Sequence, residues 1–155
     1  MFISTKTYNH NVGLSCCFRQ WRAKDSHCRF LHGYAFSIKL TFQGELDERN
    51  WVWDFGGMKR SETQIEGMSP KDYFTWLLDH TVVVAQDDPY LDKFIQMDKD
   101  KIIQLRILPY TGCERFAQFL YSKINIFLKY ETKFRVRATK VEVYEHERNS
   151  ASYSE

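Results

Sequence analysis

From residue 32 to residue 45 the chain alternates. His32, Tyr34, Phe36, Ile38, Leu40 and Phe42 fall on one side of an extended backbone, and "FSIKLTFQGEL" keeps the period cleanly up to Gly44. The pattern predicts a strand over about residues 32–45, and an earlier one over about residues 2–18, forming a long antiparallel pair. A shorter extended piece, "WVWDF", follows. In "SPKDYFTWLLDH", Ser69 suits an N-cap, Pro70 the first helical turn, and Tyr73, Trp76 and Leu77 recur at i, i+3, i+4, which predicts a helix ending near Asp79. A longer helix is predicted over "TGCERFAQFLYSKINIFLKY", with Phe116, Leu120, Ile124 and Phe127 on one stripe and Ala117, Tyr121 and Leu128 beside it. Between the two lie a short helix in "PYLDKFIQMD" and a short strand in "KIIQLRIL". Strands in "FRVRATKVEVYEHE" close the chain, with Val141, Val143 and Glu145 on one face and Glu142, Tyr144 and His146 on the other.

Two strands, a helical middle and two strands predict an α+β fold: a four-stranded antiparallel sheet with helices packed on one face. The other face and the sheet edges then need cover, which oligomerisation commonly supplies. A length of 155 residues suits one domain over 1–155, with 43% hydrophobic and 16% aromatic content enough for a real core. No apolar run approaches the roughly 20 residues of a membrane helix, and "MFISTKTYNHNVG" lacks the features of a secretory signal, so a cytoplasmic protein without a membrane partner is expected. Cys16, Cys17, Cys28 and Cys113 form neither a disulfide framework nor a CxxC pair and are read as reduced thiols. The charge of +2, with basic residues scattered among acidic ones, argues against nucleic-acid binding.

Against the apolar pattern stand Cys28, His32, Asp79 with His80, and Glu145. Each has an ordinary reading. A strand histidine is usually satisfied by a hydrogen bond, a lone cysteine is a small buried hydrophobe, an Asp-His pair at a helix end can be a cap, and Glu145 can be a solvated strand residue.

Their order along the chain changes that reading. "LSCCFR … CRFLHGY … WDFGGMK … LLDH … CERFA … VYEH" resembles, over nearly the whole chain, the 6-pyruvoyl and 6-carboxy tetrahydropterin synthase family, with its FSAAHR, C-x-x-x-HGH, DF-x-x-LK, LDH, P-T-x-E and final-strand glutamate. The resemblance implies a tunnelling fold, in which sheets of several subunits join into a barrel, commonly a hexamer of two stacked trimers with the pocket between subunits, and a small-molecule pterin substrate. By the same resemblance Cys28 falls at the catalytic cysteine, Asp79 and His80 at the proton-transfer pair, Glu145 at the pterin anchor and Glu114 at the glutamate of P-T-x-E. The residues before Glu114 are Thr111, Gly112 and Cys113, which departs from the motif. Asp54, Phe55 and Lys59 match DF-x-x-LK and read as a structural turn. A free thiol has a pKa of about 8.5, so a histidine and a carboxylate would be needed to raise its thiolate fraction. A carboxylate at position 145 matches the paired N–H donors of an aminopyrimidinone edge.

The family holds Zn²⁺ with three histidines, whereas here Phe18 and Tyr34 occupy two of those positions and His32 alone remains. One neutral imidazole does not retain Zn²⁺ against water and cellular ligands. Two substitutes are open on paper: a one-residue shift presenting Cys17 instead of Phe18, or His27 turning inward. Otherwise His32 is expected to be hydrogen-bonded in the pocket. The resemblance implies a lyase acting on dihydroneopterin triphosphate or a similar dihydropterin through Cys/His/Asp acid–base proton transfer. The alternatives are a non-catalytic protein that holds a pterin- or purine-like ring, and a thiol nucleophile with another substrate. Pyruvoyl or carboxy product, and with it tetrahydropterin or queuosine biosynthesis, is left open.

Overall fold

The longest strand, β3 (His32–Gly44), is the spine of the sheet. In the computed structural model, which describes residues 1–8, 13–60 and 62–155, its first part pairs antiparallel with β2 (Leu14–Phe18). Its second part lies between β1 (Phe2–Tyr8) and β6 (Val136–His146), antiparallel to both. The predicted first strand over residues 2–18 is thus two strands; residues 9–12 of it lie outside the described residues.

Seven strands, not four, make up the sheet, in the order β5-β4-β2-β3-β6-β7 with β1 also on β3. It is mixed, because β2 pairs parallel with β4 (Thr81–Ala85), and β4 parallel with β5 (Leu105–Leu108). β4 reads "TVVVA", a continuous apolar run whose Val83, Val84 and Ala85 are all buried. A strand of that kind carries no alternation to announce it. β7 (Asn149–Ser154) pairs antiparallel with β6 and is polar, and only Ala151 and Tyr153 pack against the core. "WVWDF" is not a strand: Val52 and Trp53 are buried within a loop, and Arg135 donates to the Val52 carbonyl at 2.7 Å.

The helices are α1 (Gly57–Arg60), α2 (Pro70–Leu78), α3 (Leu91–Lys99) and α4 (Cys113–Glu131). Ser69 caps α2 by accepting from the Asp72 N–H at 3.2 Å, with Pro70 in the first turn. Tyr73, Phe74, Leu77 and Leu78 are buried, while Trp76 turns outward under the Arg106 guanidinium, 4.3 Å from its ring centre. The whole predicted α4 stripe is buried and joins Phe36, Ile38, Leu40 and Phe42 of β3, all fully buried, in one apolar cluster. Each such side chain contributes about 1.5–3 kcal/mol of transfer free energy. On the reverse face of β2 and β3, Ser15, Gly33 and Ala35 stay exposed. Among the described residues, no helix is long and apolar enough to cross a membrane.

Candidate functional site

Where β2 and β3 end together, the register sets Phe18 opposite His32 and Cys16 opposite Tyr34. The result is a cluster of rings. Phe18 is fully buried, 4.6 Å from the His32 ring, 6.3 Å from Tyr34, 5.8 Å from Phe36 and 5.3 Å from Phe116. His32 Nδ1 lies 2.8 Å from the Phe30 carbonyl, and since a carbonyl only accepts, that nitrogen carries the proton.

These positions offer one imidazole, one phenol and one phenyl, a set that does not fit the Zn²⁺ implied by the resemblance. Neither substitute is in place. Cys17 sits opposite Gly33, on the other face of β2 from Phe18, and His27 is exposed in the short turn His27–Arg29, its ring 6.5 Å from Phe30. Among the described residues, no three His, Cys, Asp or Glu side chains form a metal-holding group.

Cys28 is half-buried in a loop held from several directions. The Ser26 hydroxyl accepts from the Cys28 N–H at 3.1 Å, and the Cys28 carbonyl accepts from the Gln20 N–H at 2.8 Å. Upstream, Arg19 pairs with the buried Asp88 at 2.8 Å and Thr111 donates to the Arg19 carbonyl at 2.6 Å. Trp21 and Arg22 both donate to Asp87, at 3.1 and 2.6 Å. The hydrogen bond from Arg22, with that from Trp21, holds the Asp87 carboxyl below the usual carboxylate range. The sequence reading did not single out this acidic pair.

Glu145 occupies the core-side face of β6, half-buried, just past the last β3 pairing, Ser37 with Tyr144. The β6–β7 ladder is irregular between Tyr144 and His146, and His146 comes to rest 5.9 Å from the Tyr34 ring. Burial raises the Tyr34 pKa first, and the charges of Glu145, Cys28 and Cys113 raise it further.

Cys113, the first residue of α4, donates its thiol proton to the Val143 carbonyl at 3.0 Å. Burial, with Glu145 and Glu114 adding to it, pushes this thiol up to about 12. Tyr34, Cys28, Glu145 and Cys113 therefore share one electrostatic neighbourhood. Glu114 stands at its margin, exposed, and opens onto a cavity of about 630 Å³ beside Trp21, Arg22 and Tyr110. Gly112 just before it has φ +115, and a Cβ there would come within 2.6 Å of the Gln20 amide nitrogen. The sequence reading named Tyr34 only as the occupant of a lost metal-ligand position and Cys113 only as a departure from the P-T-x-E motif, because an aromatic in an apolar row and a cysteine at a helix start both look like packing.

Asp79 and His80 stand elsewhere. Asp79 is the C-cap of α2, and its N–H donates to the Thr75 carbonyl at 2.8 Å. Its carboxylate is not spent on the cap: Oδ1 accepts from the Ser15 N–H at 3.0 Å and lies 3.2 Å from His80 Nδ1. His80 has φ 57, in the left-handed region, and its carbonyl accepts from Gln104 at 3.1 Å. The imidazole lines a cavity of about 420 Å³ with Ser15, Cys17 and Gln104. Asp79 is bonded to Ser15 and Cys28 to Gln20, so five residues of nearly extended chain, on the order of 15 Å, separate the pair from the thiol within one chain. At the DF-x-x-LK match, Asp54 accepts from the Gly56 N–H at 2.8 Å and faces Arg49 and Arg60 at 3.5 and 3.7 Å, while Lys59 is exposed.

Residues 8–155 match the family model described as 6-pyruvoyl tetrahydropterin synthase. Among solved structures, an uncharacterized protein from Wolinella succinogenes superposes with a TM-score of 0.76 at 16% identity, covering 99% of this chain and 97% of that one. The Plasmodium vivax 6-pyruvoyltetrahydropterin synthase gives 0.66 at 14% identity, covering 100% and 99%. The Caenorhabditis elegans 6-pyruvoyl tetrahydropterin synthase gives 0.61 at 18%, covering 100% and 97%. No curated protein sequence matches at a significant level.

Proposed function

Since the chain belongs to the 6-pyruvoyl tetrahydropterin synthase family, we propose that it is a tetrahydropterin synthase-like lyase acting on a dihydropterin, dihydroneopterin triphosphate or a close relative. Glu145 holds the aminopyrimidinone edge through two charge-assisted hydrogen bonds, and Cys28 exchanges a proton with the substrate side chain. The observation that carries this reading is the family match over residues 8–155, with Cys28 and Glu145 standing where the resemblance puts the thiol and the ring anchor; that both raise the Tyr34 pKa supports their lying in one neighbourhood. Glu114 contributes a second carboxylate at the mouth.

The donor set at Phe18, His32 and Tyr34 does not fit zinc, so no step of the mechanism passes through a metal. His80, oriented through Nδ1 by Asp79, presents Nε2 as the second proton carrier. Its separation from Cys28 within the chain supports a pocket assembled from more than one copy, in which the Asp79–His80 pair of one chain serves the thiol of its neighbour. A barrel-forming homo-oligomer, a hexamer of two trimers, in the cytoplasm is the matching assembly.

The test is turnover of dihydroneopterin triphosphate, with and without added zinc, by the wild type, Cys28→Ser and Glu145→Gln. Turnover that vanishes in Cys28→Ser is expected, with pterin affinity falling about 10- to 100-fold in Glu145→Gln, the worth of a hydrogen bond to a charged group. Mixing inactive Cys28→Ser and His80→Gln chains should restore part of the activity if the two groups meet across copies. Tight pterin binding without turnover would select a ring-holding protein. Absence of both binding and turnover would overturn the proposal.

A further inference from the structure

The parallel part of the sheet ends in a cavity that the proton-transfer groups leave unused. β2, β4 and β5 run side by side in one direction, so their carboxyl ends come out together. A crevice beyond the carboxyl ends of parallel strands is where open α/β sheets take their ligands. Here the loop after β2 brings Gln20, Trp21 and Arg22 to that place, the loop after β4 brings Asp87, and the loop after β5 brings Tyr110. The first turn of α4 adds Glu114 and Arg115. The cavity they line, of about 630 Å³, has the size of a small-molecule site.

Two of its rings carry a guanidinium. Arg22 lies over Trp21, 4.3 Å from the ring centre, and Arg115 over Tyr110 at 4.4 Å. An aromatic face attracts a guanidinium without using its N–H donors, which stay available to the oxygens of an anion. The two arginines differ in what they have left to give. Arg22 is spent on Asp87 at 2.6 Å, and the same carboxylate takes the Trp21 indole N–H at 3.1 Å, so this wall is neutral and fixed. Arg115 gives one N–H to the neutral Gln118 amide at 2.8 Å and pairs with no carboxylate among the described residues. Its charge is unanswered. Glu114 beside it forms no ion pair either, and successive helix residues point about 100° apart, so carboxylate and guanidinium face the cavity from different directions.

Gln20 ties this cavity to the thiol, since its N–H is bonded to the Cys28 carbonyl at 2.8 Å. A substrate anchored at Glu145 with its side chain at Cys28 finds the cavity beside that side chain. We propose that Arg115 is a specificity-determining residue: its guanidinium binds the phosphate groups at the end of the substrate's side chain and so selects a phosphorylated pteridine over a phosphate-free one. The inference rests on the functional reading above and adds to it the group that reads the anionic tail. The contact is the same before and during proton transfer, so it strengthens binding and leaves the rate of the chemical step alone.

The experiment measures, by fluorescence quenching, the affinity of the wild type, Arg115→Gln and Arg115→Lys for neopterin triphosphate and for neopterin. Arg115 is exposed, so both variants keep the fold. The wild type should bind the triphosphate more tightly than neopterin. Arg115→Gln should lose about 10-fold on the triphosphate and nothing on neopterin, the lower end for a charge-assisted hydrogen bond because the guanidinium retains solvent. Arg115→Lys should recover part of the loss, since it restores the charge without the planar fork. In turnover of dihydroneopterin triphosphate the same loss should appear in KM with kcat unchanged. Equal affinity of the wild type and Arg115→Gln for neopterin triphosphate overturns the assignment and leaves the functional reading standing. An equal loss on both pterins, or a wild type that binds the two alike, does the same. A wild type that binds neither pterin and does not turn over dihydroneopterin triphosphate overturns the functional reading, and this assignment with it.

Discussion

Phe18 and His32 face each other across β2 and β3 with ring centres 4.6 Å apart, and Phe18 is completely shielded from solvent. A metal ligand in the position of Phe18 would hold an imidazole at the edge of the core; a phenyl there makes the same spot part of the core. Phe18→Ala is expected to cost about 3–5 kcal/mol, measured by urea unfolding. Substituting His for both Phe18 and Tyr34 restores three imidazoles around one point, and that double variant should carry zinc through dialysis, measured by elemental analysis. If it binds no more zinc than the wild type, these positions do not surround a common centre.

The buried ion pair behind the Cys28 loop gives a second expectation. The Asp88 side chain is inaccessible and that of Arg19 is 19% exposed. Asp88→Ala leaves the guanidinium without its partner, at a cost of about 3 kcal/mol, the lower end for broken buried pairs because Arg19 retains some solvent. The loop it tethers should open more often, so alkylation of Cys28 by iodoacetamide should quicken in native buffer. An unchanged rate would mean that the contacts of Trp21 and Arg22 with Asp87 hold the loop unaided.

Asp79 joins α2 to β2 through the Ser15 N–H and also faces His80. Asp79→Asn keeps an acceptor for the strand and removes the negative charge beside the imidazole; Asp79→Ala removes both. The alanine variant should lose about 1–2 kcal/mol of stability in thermal or urea unfolding and the asparagine variant distinctly less. Equal losses would show that the strand contact contributes nothing.

Stability should decline on the alkaline side. Burial pushes the Cys16 and Cys113 thiols up to about 12, well above their values in an unfolded chain. Between roughly pH 9 and 12 the unfolded state therefore ionises these thiols while the folded state keeps their protons bound, so the folded form holds more protons and stability falls as pH rises, by at most about 1.4 kcal/mol per pH unit for each thiol. Below that window their contribution is fully present. Cys113→Ala, compared with the wild type by urea unfolding from pH 7.5 to 10.5, should flatten the decline.

Much of this architecture is legible in the chain, and what escapes has a physical reason. β3 and α4 announce themselves because each has one wet and one dry side, and a period shows only where the two sides differ. β4 escapes because Val83, Val84 and Ala85 are all dry, and β7 because "NSASYS" is nearly all polar. At the site, alternation alone puts Glu145 on the same face as Val141 and Val143, but the influence of Glu145 on the Tyr34 and Cys113 pKa values depends on the pairing of β3 with β6 and the start of α4. The distance between Asp79 and Cys28 is equally hidden, since it follows from the parallel pairing of β2 with β4, two segments more than 60 residues apart.

β3 belongs to two ladders in succession: His32 to Phe36 pair with β2, and from Ser37 onward the partners are β6 and then β1. One extra residue at that junction could leave both ladders intact and still turn His32 and Tyr34 away from Glu145, because successive side chains on a strand point oppositely. The joint between Phe36 and Ser37 is therefore a place where a length change could abolish chemistry in a protein that still folds.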